Sequence, residues 1–280
     1  MFNTIVLSGG GWNGLLAIGS LIHIFETCDI NQISKYVGTS SGAFICYLLC
    51  IGYDLYEIIT DLLNMKLYEL LKKANAQNYI RLWQDQYLYD FGETVGRALG
   101  ELTLKKLGFV PTLSQLYQST NKTLVCHSYN MSTRQGVQIS KDTHPHLSCI
   151  KAIQMSCSIP LFFDRCYHDG NLYIDGGIID NFPLTPDLDV PSTLGIVIDH
   201  CPGSTEPSGS IPGYLWELFM IVHSKVQQMQ GVNASKGACI VKLCTKKSGI
   251  GDIERESVIH TITEGYTMST DANNRNFILV

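Results

Sequence analysis

Twice within the first fifty residues, a short apolar run stops at a cluster of small residues and an apolar, helix-periodic run begins. Thr4 to Ser8 leads into Gly9-Gly10-Gly11-Trp12-Asn13-Gly14 and then a helical stretch whose Leu15, Ile18, Ile22 and Phe25 share one stripe. Lys35 to Gly38 leads into Gly38-Thr39-Ser40-Ser41-Gly42 and a helix reaching Ile51, with Gly52 suited to the residue that follows its cap. Strands interleaved with helices in this way point to a layered α/β fold with a mostly parallel central sheet flanked by helices.

The rest of the chain continues the pattern. Asp54, followed three residues later by Glu57, is a capping-box start for a helix through about Lys73. A further helix is expected from Phe91 to Leu107. Lys122 to Asn130 and Gly136 to Ser140 alternate and are rich in β-branched residues. A polar turn separates them, which predicts a hairpin or adjacent strands and a possible β-hairpin insertion. His146 to Cys157 reads as a helix ending before Pro160. Leu172 to Asp175, Leu194 to Asp199 and Ala238 to Cys244 read as strands, and Tyr214 to Gln230 as an amphipathic helix. Pro202 to Pro212, rich in Ser, Gly and Pro, reads as a surface loop or lid. No internal repeat divides the 280 residues, which are read as one domain with its motifs confined to about residues 1–200.

Charge narrows the partners. A net charge of −5 and the absence of a basic run give no purchase for nucleic acid, and any peripheral membrane contact has to be mainly hydrophobic. The longest apolar stretch, Ala43 to Ile51, is too short to span a bilayer. The opening MFNTIVLSGGGWNG lacks a basic n-region, so it is not read as a signal peptide. A reducing, cytoplasmic setting is expected, with the ten cysteines acting as small buried hydrophobes. There is no C-x-x-C and no H-E-x-x-H, and His144 and His146 flank Pro145 in a poor ligand geometry. Neither a metal nor an organic cofactor is expected.

Three constellations carry chemistry. Glycines between a strand and a helix let backbone amides point at developing negative charge, aided by the helix N-terminus. The first loop also fits a dinucleotide fingerprint, yet the second strand ends in Tyr36-Val37-Gly38 without the acidic residue that reading needs. A plain tight turn would also satisfy it. The second constellation is G-x-S-x-G between a strand and a helix. A serine on such a strained turn exposes its hydroxyl at the carboxyl edge of the sheet, and small neighbours relieve the crowding. Ser40 holds the central position, and Ser41 is the rival. The third is Tyr173-Ile174-Asp175-Gly176-Gly177, followed by Asn181-Phe182-Pro183. Asp175 at a strand end can face Ser40 as a base, although Asp-Gly is also an ordinary turn dipeptide. His200, after a strand, is the candidate for a histidine-based scheme.

Taken in order, these segments resemble the patatin-like phospholipase family. The stretch Ala152-Ile153-Gln154-Met155-Ser156-Cys157-Ser158-Ile159-Pro160 with Phe162-Phe163 resembles that family's A-x-x-x-S-x-x-x-P-x-x-F segment. The resemblance implies a Ser40–Asp175 dyad without histidine. It places Gly9, Gly10, Gly11, Asn13, Gly14 and Ser41 in the oxyanion and substrate-binding region, supported by Gly38, Gly42, Gly176 and Gly177. It also implies hydrolysis of phospholipid or related lipid esters through an acyl-enzyme. Family members usually carry Arg or Lys where this chain has Asn13, so neutral acylglycerols stay open as substrates, as does a catalytically weak lipid-binding or partner-binding relative.

Overall fold

The computed structural model describes residues 2–28, 32–65, 82–85, 87–184, 188, 190–200, 214, 221, 225, 238–245, 254–270 and 277–279. β1 (Thr4–Leu7) passes through a 3-10 turn at Gly11–Asn13 into α1 (Gly14–Thr27), and β2 (Lys35–Thr39) passes into α2 (Ser41–Cys50) and α3 (Leu55–Asn64). There follow β3 (Tyr87–Tyr89), α4 (Arg97–Leu107), α5 (Leu113–Thr120), the pair β4 (Thr123–Asn130) and β5 (Gln135–Ser140), and α6 (Cys149–Cys157). The short strands β6 (Leu161–Phe163), β7 (Cys166–His168) and β8 (Asn171–Asp175) precede β9 (Thr193–His200), β10 (Cys239–Thr245), α7 (Arg255–Thr270) and β11 (Phe277–Leu279).

The main sheet runs β11-β10-β9-β1-β2-β4-β8-β7, with β5 also paired to β4. From β10 to β4 every pairing is parallel, and the outer strands are antiparallel. This is the expected α/β architecture. The β4–β5 hairpin is no separate insertion, because β4 is itself a member of the parallel core.

The pairing of β4 decides where the functional residues meet. A strand has two edges, and β5 covers one of them from Val125 to Asn130. β2 pairs with Thr123–His127 and β8 with Ser128–Asn130, and both stretches overlap the span of β5. Both strands therefore share the other edge of β4. β2 runs parallel to β4 and β8 antiparallel, so their carboxyl ends point at each other. Thr39 is the register partner of His127, and Asp175 of Ser128, the next residue along.

Side-chain alternation sorts the strands onto two faces. Ile5 and Leu7 join Leu16, Ile18 and Leu21 of α1 and Tyr47 and Leu48 of α2 in the main core. Val6, Val37 and Val125 face the other way, toward Leu188, Phe182 and Leu184. α2 ends as its glycine suggests: Gly52, at φ 92°, follows the cap, and the N–H of Tyr53 bonds to the Leu48 carbonyl at 3.0 Å. The Asp54–Glu57 capping box forms at the start of α3.

Several features were not legible in advance. α5 starts at a second capping box, Thr112 with Gln115. The expected helix from Phe91 divides into a π-helical turn, Gly92–Gly96, and α4. α7 carries no strong apolar stripe because it meets α1 through small residues. A Cβ on Gly19 would overlap the Ile262 carbonyl, and one on Gly265 would overlap the Leu16 carbonyl. Ser269 donates to Ser20 across the same contact at 2.7 Å. The reading of cysteines as core hydrophobes holds for Cys46, Cys50, Cys126, Cys149, Cys157 and Cys166, all free and buried. It fails for Cys244, which is disulfide-bonded. That residue sits half-buried near the end of β10 rather than in the core. Beyond residue 65 the helix expected to reach Lys73 lies outside the described residues. So do the Pro202–Pro212 loop and, apart from single positions, the Tyr214–Gln230 helix. No single helix among the described residues is long and apolar enough to cross a membrane.

Candidate active site

Ser40 connects β2 to α2 with φ 53° and ψ −125°, a backbone conformation that costs a non-glycine residue about 1–3 kcal/mol. The turn closes only because its neighbours lack side chains. A Cβ on Gly42 would overlap the Leu7 carbonyl, and one on Gly38 would overlap the backbone at Ala43. The buried Ser40 N–H donates to the Ser156 hydroxyl at 2.9 Å, and that hydroxyl donates to the His127 carbonyl at 2.6 Å.

Asp175 meets this turn from the tip of β8. It is 4% exposed, and its Oδ1 accepts the Gly177 N–H at 2.7 Å. The Ser40 side chain lies beside the same carboxyl group and lowers its pKa. Burial raises the carboxyl pKa to about 6, and the neighbouring Ser40 side chain and the Gly177 N–H bond pull against that rise. The Cys157 thiol lies beside the pair, pushed well above its ordinary pKa by burial and by the nearby Asp175. Gly176 fits against the His127 ring, where a Cβ would fall 2.6 Å from Cδ2.

Among the described side chains no histidine joins the pair. His127 has the parity of Val125, whereas Cys126 belongs to the main core and Ser128 donates to Met155 of α6. Its ring therefore lies on the face away from α6, where burial lowers its pKa against the opposing pull of Asp180. His200 ends β9, which β1 separates from β2.

The glycine loop lies alongside. The N–H of Gly9 donates to Asn181 Oδ1 at 3.0 Å, and Asn181 Nδ2 donates back to the Gly9 carbonyl at 3.0 Å. Gly9 is thereby committed to Asn181, in the segment that follows the Asp-Gly-Gly turn. The amides of Gly10 and Gly11 make no hydrogen bond among the described residues, and neither does the Ser41 amide at the first turn of α2. These three N–H groups are free to meet an anionic oxygen. Asn13 is 3% exposed and does not belong to the cavity wall.

A cavity of about 130 Å³ opens beside Ser40. Gly11, Trp12, Gly14, Leu15 and Ile18 form one side and Ser41, Phe44 and Ile45 another. Leu62, Val95, Cys157, Ile159, Phe162 and Phe163 complete the wall. Among the described residues no charged side chain belongs to it. Among the described residues no group of three or more His, Cys, Asp or Glu side chains comes together to hold a metal ion.

Residues 5–188 match the Patatin-like phospholipase family. The chain belongs to the patatin-like phospholipase family. A probable lipid hydrolase of Invertebrate iridescent virus 6 is 31% identical over 188 residues, covering 65% of this chain and 62% of the relative. An uncharacterized protein of Acanthamoeba polyphaga mimivirus is 31% identical over 197 residues, 69% of this chain and 64% of its own length. This chain thus spans less than two thirds of the length of these curated relatives. VipD from Legionella pneumophila superposes with a TM-score of 0.58 at 17% identity, over 96% of this chain and 66% of VipD. ExoU in its heterodimeric complex with SpcU from Pseudomonas aeruginosa gives 0.54 at 17% identity, over 98% and 52%. At such identities the likeness is one of fold. This patatin-like site also uses Ser156 and Asn181, to which sequence reasoning gave no role. Both lie in quoted motif segments, so the signal was position within the motif.

Proposed function

We propose that this chain is a serine acyl hydrolase acting on lipid esters, with Ser40 as nucleophile and Asp175 as its base. The supporting observation is that Ser40, at the wall of an apolar cavity, has its side chain beside the buried Asp175 carboxyl group and lowers its pKa. Ser40 Oγ attacks the ester carbonyl carbon while its proton passes to Asp175. The N–H groups of Gly10, Gly11 and Ser41 receive the negative oxygen of the tetrahedral intermediate. Collapse breaks the ester C–O bond, and the leaving alcohol takes the proton from Asp175. Water then attacks the acyl-enzyme, Asp175 accepts a proton from it, and the fatty acid leaves as Ser40 recovers its hydrogen.

A carboxylate is a weak base for an alcohol, and burial answers that difficulty in part. A base with pKa about 6 is stronger than an exposed aspartate and is still ionised at neutral pH. Activity is expected to rise with pH through about 6 and then level, because only the ionised carboxylate can accept the proton. A rate profile with its acid midpoint near that of an exposed aspartate would place the base elsewhere.

The substrate class follows from the wall. Apolar side chains suit an acyl chain, and phospholipids and neutral acylglycerols both remain within the proposal. Residue 13 is buried off the cavity wall. Asn13→Arg is therefore expected to leave the ratio of phospholipid to neutral-lipid turnover unchanged. A marked rise in that ratio would bring residue 13 into contact with the headgroup. A cytoplasmic protein touching membrane surfaces peripherally is consistent with these substrates and belongs to the proposal. The test is fatty-acid release from a panel of phospholipids and neutral acylglycerols. Release is the expected result. Its absence from folded protein would leave a lipid-binding or partner-binding relative.

A further inference from the structure

Resting on the reading above, we infer that the carboxyl end of α6, residues 155–158, is the gauge that sets the Ser40–Asp175 geometry, with Ser156 as its principal positioning residue. Both members of the pair are tied to this short segment. Ser156, fully buried, accepts the Ser40 N–H. The Ser158 carbonyl accepts the Asp175 N–H at 3.0 Å. Ser128, the register partner of Asp175, reaches the Met155 carbonyl at 2.8 Å and the Ile174 carbonyl at 2.9 Å through one hydroxyl.

Ser156 is suited to hold a strained residue. Its single proton goes to the His127 carbonyl at 2.6 Å, so the lone pair left over faces the Ser40 amide. The orientation of the hydroxyl is thus fixed by a residue of β4 that is also the register partner of Thr39. Take the hydroxyl away and the Ser40 N–H becomes a buried donor without a partner, at a φ of 53° that its own side chain does not favour. The turn would relax and carry Oγ away from Asp175. Ser156 does not line the cavity, and it acts by aiming the residue that does.

The experiment compares wild type with Ser156→Ala and Ser156→Cys, the latter keeping side-chain volume with a poorer acceptor. Two readouts apply: the rate at which a fluorophosphonate labels Ser40, and kcat and KM on a p-nitrophenyl ester across pH. Labelling and kcat are expected to fall about 10- to 100-fold in Ser156→Ala, with KM within about twofold and Ser156→Cys intermediate. The acid midpoint of kcat should also move upward, because the neighbouring Ser40 side chain that holds the Asp175 pKa down is displaced. Equal labelling rates in all three proteins would overturn the inference while leaving Ser40 as nucleophile. So would losses that merely track the folded fraction with an unmoved midpoint. Absence of labelling in wild type would instead overturn the proposed function, and this inference with it.

Discussion

Ser40→Ala is expected to abolish fatty-acid release, by about four orders of magnitude or more, while the fold persists. The change removes one oxygen from a turn whose shape is set by Gly38, Gly42 and the Ser156 bond rather than by the hydroxyl itself. Alanine at φ 53° is about as strained as serine, so the melting temperature should move only a few degrees. Fatty-acid release and thermal unfolding, measured on the same preparation, decide the matter. Activity retained by Ser40→Ala at equal purity would remove Ser40 from the chemistry, and Ser41 would be the next serine to test.

Asp175→Asn should cost nearly as much activity, about three to four orders of magnitude, because the amide keeps the shape and loses the base. Its effect on stability should run the other way. The folded carboxyl titrates near 6, above its ordinary 3.8, so its stabilising contribution is full below about 3.8 and lost as pH rises through about 6. In the ionised form at neutral pH, burial of the charge opposes folding by about 3 kcal/mol. Asparagine is neutral and still accepts from the Gly177 N–H. The variant is therefore expected to melt several degrees above wild type near pH 8, and the gap should narrow toward acid. Thermal unfolding followed across that range tests both halves. A variant less stable than wild type at alkaline pH would mean that the ionised carboxylate is satisfied by bonds an amide cannot replace.

The fold was legible where local chemistry governs. Both strand–glycine–helix units, the cap after α2 and the capping box of α3 were written in residues next to one another. The Ser40 turn could be read in part for the same reason: Gly38 is demanded by the backbone at Ala43, whereas Gly42 is demanded by the Leu7 carbonyl of β1, some 35 residues away. What brings Asp175 to Ser40 was not legible. It depends on two strands dividing one edge of β4, a pairing between segments that lie far apart in sequence. The grips of Asn181 on Gly9 and of Ser156 on Ser40 are likewise tertiary, and only the place of each residue within its motif segment pointed to them. α7 escaped notice because periodicity needs a repeating stripe of large apolar side chains, and this one buries only Val258 and Ile262 beside Thr261, Gly265 and Ser269.

That glycine crossing has a practical consequence. The family match ends at residue 188, yet α1, which opens at the glycine loop, lies backbone to backbone against a helix beginning at Arg255. β9, which covers the outer edge of β1, also lies past that limit. A fragment trimmed to the matched stretch would keep every residue assigned to the chemistry and lose the strand and helix that cover β1 and α1. Bare strand edges invite pairing between chains, so such a fragment should precipitate on expression rather than turn over substrate. The stretch that identifies this protein is shorter than the stretch needed to produce it.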